Sequence, residues 1–454
     1  MPLCTQVTGS LDRLPNELLQ LICVYVRHNV SHGRLENTHI ALSMVNRRLN
    51  SALAPTNFEL LQVVWGKSIP DCGRFIDRYG LWVKQLIVRI EMLTGDPVAT
   101  AEQQDIEKLI GGVGLPNCTR IDFIFLPKDH LLQNKCRLDG KNKCESEPSF
   151  TYEDDLAFPW CLDMWNTDKT VGYTETNVRW AQDMAKIWTA LVNNTTCRHL
   201  TLNNYHLRDA SVLKSSEWAE FMGRLESLSM WPWGGKAILF PEAQGIQMQV
   251  CQSWGYHQDI NLIKHRFYRF GENLRTIRYM VDIESTAASD YLNLPFDKLS
   301  FPQLEELFLS NVVIYPNLNK FLKQHSETLQ VIDLTDCAAR EPCRWSTTLS
   351  LLRTHLTKLV TFERHALTQQ YLDFMINVGQ LALPMHIPAS RDRLRIGWSP
   401  DLETDKWEYS RLDAQASRVR DDDMVLNDEV QAEDEEQWVL LKAEMAARRE
   451  NNRS

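Results

Sequence analysis

Apolar residues recur along this chain in one short pattern, hydrophobic–x–x–hydrophobic–x–hydrophobic, whose last two members alternate at period two. It occurs as Val83/Leu86/Val88, Cys118/Ile121/Phe123, Cys197/Leu200/Leu202, Leu225/Leu228/Met230 and Leu274/Ile277/Tyr279. It continues as Leu304/Leu307/Leu309, Leu329/Ile332/Leu334 and a shorter Leu359/Phe362. Period-two alternation predicts a short strand at each set, with the apolar members on an inner face. Between the sets the spacing turns helical. Asn177–Val192 carries Trp180, Met184, Ile187 and Leu191, and Asp259–Phe270 carries Ile260, Ile263 and Phe267 before a stop at Gly271. Pro316–His325 opens with proline in its first turn, and Leu367–Val378 ends at Gly379. From Cys197 onward the sets lie 28, 49, 30, 25 and 30 residues apart. The wide steps hold polar insertions, near 134–155 and 231–256.

The first 66 residues follow a different period. Leu14, Leu18 and Ile22 form one stripe of a helix with Pro15 at its first position, where the missing N–H costs nothing. A polar connection at His28–Glu36 leads to a second helix with Leu42, Val45, Leu49 and Ala52. Thr56 and Asn57 can cap a third, carrying Phe58, Leu61, Val64 and Trp65. Three short helices of this kind are marginal alone and call for a partner surface.

Leu14-Pro15-Asn16-Glu17-Leu18-Leu19-x-x-Ile22 followed by Leu42-Ser43-Met44-Val45-Asn46-Arg47-Arg48-Leu49 resembles an F-box. The resemblance implies a three-helix domain over 10–66 that docks onto the Skp-type adaptor of a cullin–RING ubiquitin ligase. It implies Leu14, Pro15, Leu18, Leu19, Ile22, Leu42, Val45 and Leu49 as the adaptor-binding residues. The strand–helix units of 25–30 residues are those of a leucine-rich-repeat solenoid, in which no unit buries its apolar side alone. Segments 301–311 and 326–337 resemble the irregular repeats of fungal F-box proteins. The expected fold class is therefore α/β: an F-box at 10–66, then a solenoid at 67–400 with parallel strands on the concave face and helices on the convex face.

In such a repeat the residue between the last two apolar positions points away from the core. Thr201, Ser229, Arg278, Phe308, Asp333 and Glu363 should then form a row, one per strand. Arg278, Phe308 and Asp333 are the candidate substrate-binding residues, an aromatic anchor between opposite charges. Fourteen Trp are read as core filling, with Trp231 and Trp233 beside Pro232 open to a contact.

Charge narrows the partners. The net charge is −10 with a pI of 5.7, which argues against broad binding to nucleic-acid phosphates. Residues 401–454 hold 16 acidic and 8 basic side chains, leaving the first 400 residues at only −2. That tail reads as acidic and largely disordered, with one short helix near 433–449 carrying Trp438, Leu441 and Met445 on one face, either docked on the body, free in solvent or bound to a partner. Eleven cysteines, never at C-x-x-C spacing, point to reduced thiols in a cytoplasmic or nuclear setting. No secretory signal and no 18-residue apolar run are visible.

Catalytic and metal motifs are missing. A zinc-bound RING needs paired ligands at C-x-x-C spacing, and the nearest cysteine pairs are Cys337/Cys343 and Cys136/Cys144. There is no H-E-x-x-H, G-x-S-x-G or phosphate-loop motif. Gly111-Gly112-Val113-Gly114 reads as a helix C-terminal turn. No catalytic residue, metal ligand or cofactor is assigned. The expected function is a non-catalytic substrate receptor of an SCF-type ubiquitin ligase that binds a protein substrate, with no role for nucleic acid or membrane. The alternative is a repeat scaffold that joins protein partners without any ligase.

Overall fold

The structure is a computed structural model. Apart from a few isolated positions, it describes residues 58–91, 100–126, 171–205, 209–232, 262–280, 294–365, 409–412 and 418–452, with Ala54 and Trp407. Nine strands form one parallel sheet: β1 (Leu60–Val64), β2 (Gln85–Glu91), β3 (Arg120–Leu126), β4 (His199–Tyr205), β5 (Ser227–Pro232), β6 (Thr276–Met280), β7 (Glu306–Ser310), β8 (Val331–Thr335) and β9 (Thr361–His365). Their spatial order is their chain order. Helical segments connect them: α1 (Cys72–Tyr79), α2 (Thr100–Ile110), α3 (Arg179–Val192), α4 (Ser216–Gly223), α5 (Pro316–Gln324) and α6 (Trp345–His355). The protein is thus an α/β protein built on a nine-stranded parallel sheet.

Burial explains the strands. Every residue of the eight apolar sets, from Val83 to Phe362, is 4 % exposed or less. They share one core with Ile106 and Leu109 of α2, Ile187 and Leu191 of α3, Phe221 of α4, Phe321 of α5 and Leu349 of α6. The helices therefore cover the face to which these sets point. Trp188 sits in the middle of an aromatic cluster, 5.7 Å from Phe123, 5.7 Å from Tyr205 and 5.6 Å from Trp218.

A repeated backbone device holds the strands in register. The carbonyl just before each of the first eight strands accepts two N–H groups from the next unit. Lys84 and Gln85 donate to Glu59, Thr119 and Arg120 to Lys84, and Arg198 and His199 to Thr119. The same fork recurs at every step to Gln330, which accepts from Val360 and Thr361. A carbonyl has two lone pairs, so one oxygen can satisfy both donors.

Three expectations need correction. Residues 60–64 are not part of a third helix. They form β1, paired in parallel with β2 from Leu60/Gln85 to Val64/Arg89, with Val63 and Trp65 buried. Five strand residues satisfy their outstanding backbone groups against a neighbour, and that non-local pairing outweighs local helical spacing. The segment expected as a helix over 259–270 is helical at Leu262–Ile263 and then widens to a π-helix at Lys264–Tyr268, which buries Phe267 and Tyr268. The first two F-box helices, the insertion at 134–155 and the helix at 367–378 lie outside the described residues, as does the insertion expected at 231–256 except for Trp231 and Pro232, which end strand β5.

The third correction concerns the acidic tail. Its helix is longer than expected, α7 (Asp428–Asn451), and it is packed. Val430, Leu441 and Met445 are buried in the common core. Asp434 is wholly buried and accepts from the Tyr409 hydroxyl and the Ser346 N–H, both at 2.6 Å. At the other end Arg448 donates to the carbonyls of Arg353 and Leu359, and Arg449 to that of Val360. Acids at the N-terminus and arginines at the C-terminus also complement the helix dipole. The net negative charge of the segment hid a buried stripe.

Candidate interaction face

Opposite the helices, the sheet presents its other face, and side chains there follow from strand parity. The register pairs Ile87 with Asp122, Asp122 with Thr201, Thr201 with Ser229 and Ser229 with Arg278. It goes on through Phe308 and Asp333 to Glu363. The six row positions read from the sequence thus stand side by side, one per strand, about 4.8 Å apart. None of the six is buried.

The centre of the row is a cation on a ring. The Arg278 guanidinium lies over Phe308, 3.9 Å from the ring centroid, so each partly covers the other. Around it, Thr276 Oγ1 donates to Glu306 Oε2 at 3.1 Å and Thr335 Oγ1 to Asp333 Oδ1 at 2.9 Å. These bonds orient two carboxylates beside the aromatic ring. Trp231 and Met280 stand one residue beyond the inward partners Met230 and Tyr279, so strand parity puts both on this face. Both are half-buried.

Toward the other end the row changes character. Asp122 accepts from Gln85 Nε2 and, at 3.0 Å, from Arg120 Nε, and it is 5 % exposed. Ile87 and Asp122 extend the row and were missed, although Val83/Leu86/Val88 and Cys118/Ile121/Phe123 give them by the same offset. Met280 had no comparable signal, since methionine on a face is indistinguishable from methionine in a core until the parity is known.

Leu14, Pro15, Leu18, Leu19, Ile22, Leu42, Val45 and Leu49 lie outside the described residues. Among the described residues no group of three or more His, Cys, Asp or Glu could hold a metal ion. No helix there is long and apolar enough to cross a membrane. The thiols of Cys118 and Cys197 are buried, which pushes them up to about 11 and about 12, far from the thiolate that a nucleophile or ligand requires. The arrangement offers hydrogen bonds, a stacked cation and half-buried apolar side chains on one face. Compared with models of known protein families the chain matches none, and no curated protein matches it in sequence.

Proposed function

We propose that this chain is the non-catalytic substrate receptor of an SCF-type cullin–RING ubiquitin ligase, with an irregular leucine-rich-repeat solenoid as its body. The observation that carries the reading is the register row from Ile87 to Glu363, presented by a parallel sheet whose strand order equals its chain order. Steps of 25–30 residues and the recurring carbonyl fork support one structural unit stacked repeatedly. An N-terminal F-box would grip the Skp-type adaptor through the Leu14–Ile22 and Leu42–Leu49 stripes, while Arg278, Phe308 and Asp333 contact a protein substrate. The work done is proximity: a substrate held in the same assembly as a charged conjugating enzyme gains effective concentration.

One co-purification experiment with two arms tests it. Leu14→Ala with Pro15→Ala should abolish adaptor capture, since a central interface anchor is worth on the order of 2 kcal/mol. Arg278→Glu with Phe308→Ala should keep the adaptor and lose the other partner. Capture of the adaptor undiminished by the first pair refutes the F-box. Partners retained by a chain that never captures adaptor would make it a scaffold outside any ligase.

A further inference from the structure

Arg278 differs from the carboxylates that share its face. Glu306 and Asp333 each accept a threonine hydroxyl, and Asp122 accepts from Gln85 and Arg120. Among the described residues Arg278 forms no hydrogen bond and no ion pair; it is exposed and lies over the Phe308 ring. A guanidinium carries five N–H donors in a fixed fork. Its place on the ring holds that fork without engaging any of the donors.

The surroundings of Arg278 are uneven. Ser229 stands beside it on β5 and Phe308 on β7, while Met280 lies two residues along its own strand, about 7 Å away. Met280 and Trp231 are half-buried and flank the guanidinium with apolar surface. Next to Met280 in the register is Ser310, which is 6 % exposed and whose buried hydroxyl has no partner. Glu306, Asp333 and Glu363 belong to β7, β8 and β9, so negative charge grows toward that end. An incoming anion is repelled there and drawn to the β5 side of Arg278, over Ser229 and Trp231. One cation beside such carboxylates suits a single negative charge better than the double charge of a phosphate.

We infer that this face takes a polypeptide segment in which a carboxylate lies next to a bulky apolar side chain. The carboxylate pairs with the Arg278 fork, and the apolar side chain covers Trp231 and Met280. An Asp or Glu side chain and a chain terminus present the same two oxygens, so either can supply the group. The inference rests on the reading of the row as the partner-binding face, and no part of it depends on the adaptor.

Peptide selection on the full chain tests it. Random octapeptides are offered in two sets, one ending in a free carboxylate and one in a carboxamide. Selected sequences should carry Asp or Glu beside Trp, Phe, Leu or Met. Enrichment confined to the free-carboxylate set, with an apolar last residue, would instead assign the group to a chain terminus and equally support the inference. Binding of the best peptide, read by fluorescence anisotropy, should weaken at least tenfold in Arg278→Gln. Arg278→Lys keeps the charge without the fork and should fall between the two. Arg278 is exposed, so both variants should melt with the natural protein. Selected peptides that lack acids, favour Lys or Arg, or bind Arg278→Gln undiminished overturn the inference while leaving a partner-binding face. A phosphoserine that binds more than tenfold tighter than Glu at the same position overturns the assignment of a carboxylate. No enrichment from either set overturns both the inference and the reading beneath it. Adaptor capture is a separate measurement, and its failure would remove the ligase while leaving the carboxylate site in place.

Discussion

Leu440 and Leu441 are consecutive leucines on α7, and the structure gives them opposite fates. Leu441 is 0 % exposed within the common core, while Leu440 is 40 % exposed. Truncating a fully buried leucine to alanine removes its transfer free energy and leaves a cavity, together about 2–5 kcal/mol. The same change at Leu440 removes only partly buried surface and falls within about 0.5 kcal/mol. For a cooperative unit of roughly 300 residues, Leu441→Ala should lower the melting temperature by roughly 3–8 °C. Leu440→Ala should leave it within about 2 °C. Thermal unfolding of the full chain, followed by circular dichroism, reads both variants in one series. The local answer comes from exchange of α6 amides, which Leu441→Ala should accelerate if α7 holds α6 in place. Equal and small shifts for the two leucines would refute the packed tail and restore a solvated one.

Two further expectations rest on single positions. His325 is neutral and buried after α5, with Nδ1 bonded to the Phe321 carbonyl at 2.8 Å and Nε2 accepting the Phe301 N–H at 3.0 Å. Burial pulls its pKa below the ordinary 6.5, so the unfolded chain takes up a proton that the folded one refuses. Its contribution is present above pH 6.5 and lost as the pH falls below it. The stability advantage of the natural protein over His325→Gln, measured by urea unfolding at pH 7.5 and 5.5, should shrink at the lower pH; an advantage that grows there contradicts the sign. Gly114 has φ near 75°, and an added Cβ would run into the Ile76 Cγ2 methyl. Gly114→Ala should therefore cost about 1–3 kcal/mol in the same titration, and an unchanged midpoint would contradict the close approach.

The strands were readable because burial and spacing coincide in them. At Leu304/Leu307/Leu309 one pattern encodes both the inward face and the start of the strand, and parity then gives Phe308 without any knowledge of the fold. The Gly111–Gly114 turn was readable for a similar local reason: two glycines at positive φ, Gly112 and Gly114, close α2. β1 was not. Its run Phe58-Glu59-Leu60-Leu61-Gln62-Val63-Val64-Trp65 fits a helical period and an alternating one equally well. What decides is the pairing with β2, where the Trp65 N–H donates to the Arg89 carbonyl at 2.8 Å, 24 residues away.

The tail failed for a related reason, with charge in place of period. Composition averages over a helix, whereas packing selects one stripe of it. Val430, Asp434, Leu441 and Met445 face inward, and the acids that dominate the count face water. A buried aspartate argues for disorder only as long as its partners are unknown. Here Tyr409, 25 residues earlier, and Ser346, 88 residues earlier, supply its donors. Burial pushes the Asp434 carboxyl upward and the two donors pull it back. The cluster is thus a junction between the end of the sheet and the tail.

Such a junction has a function in a stacked sheet. Each strand–helix segment packs against the one before it, and among the described residues no strand of the sheet follows β9. At the β9 end Trp407 packs 5.1 Å from Trp345, Phe362 meets Trp438 at 5.5 Å, and the Arg448 and Arg449 guanidinium groups occupy carbonyls of the last turn. Helix α7 thus covers apolar surface at the β9 end. The acidic count of the tail follows from the same role, because a helix that caps an apolar edge must itself be solvated on its outer side.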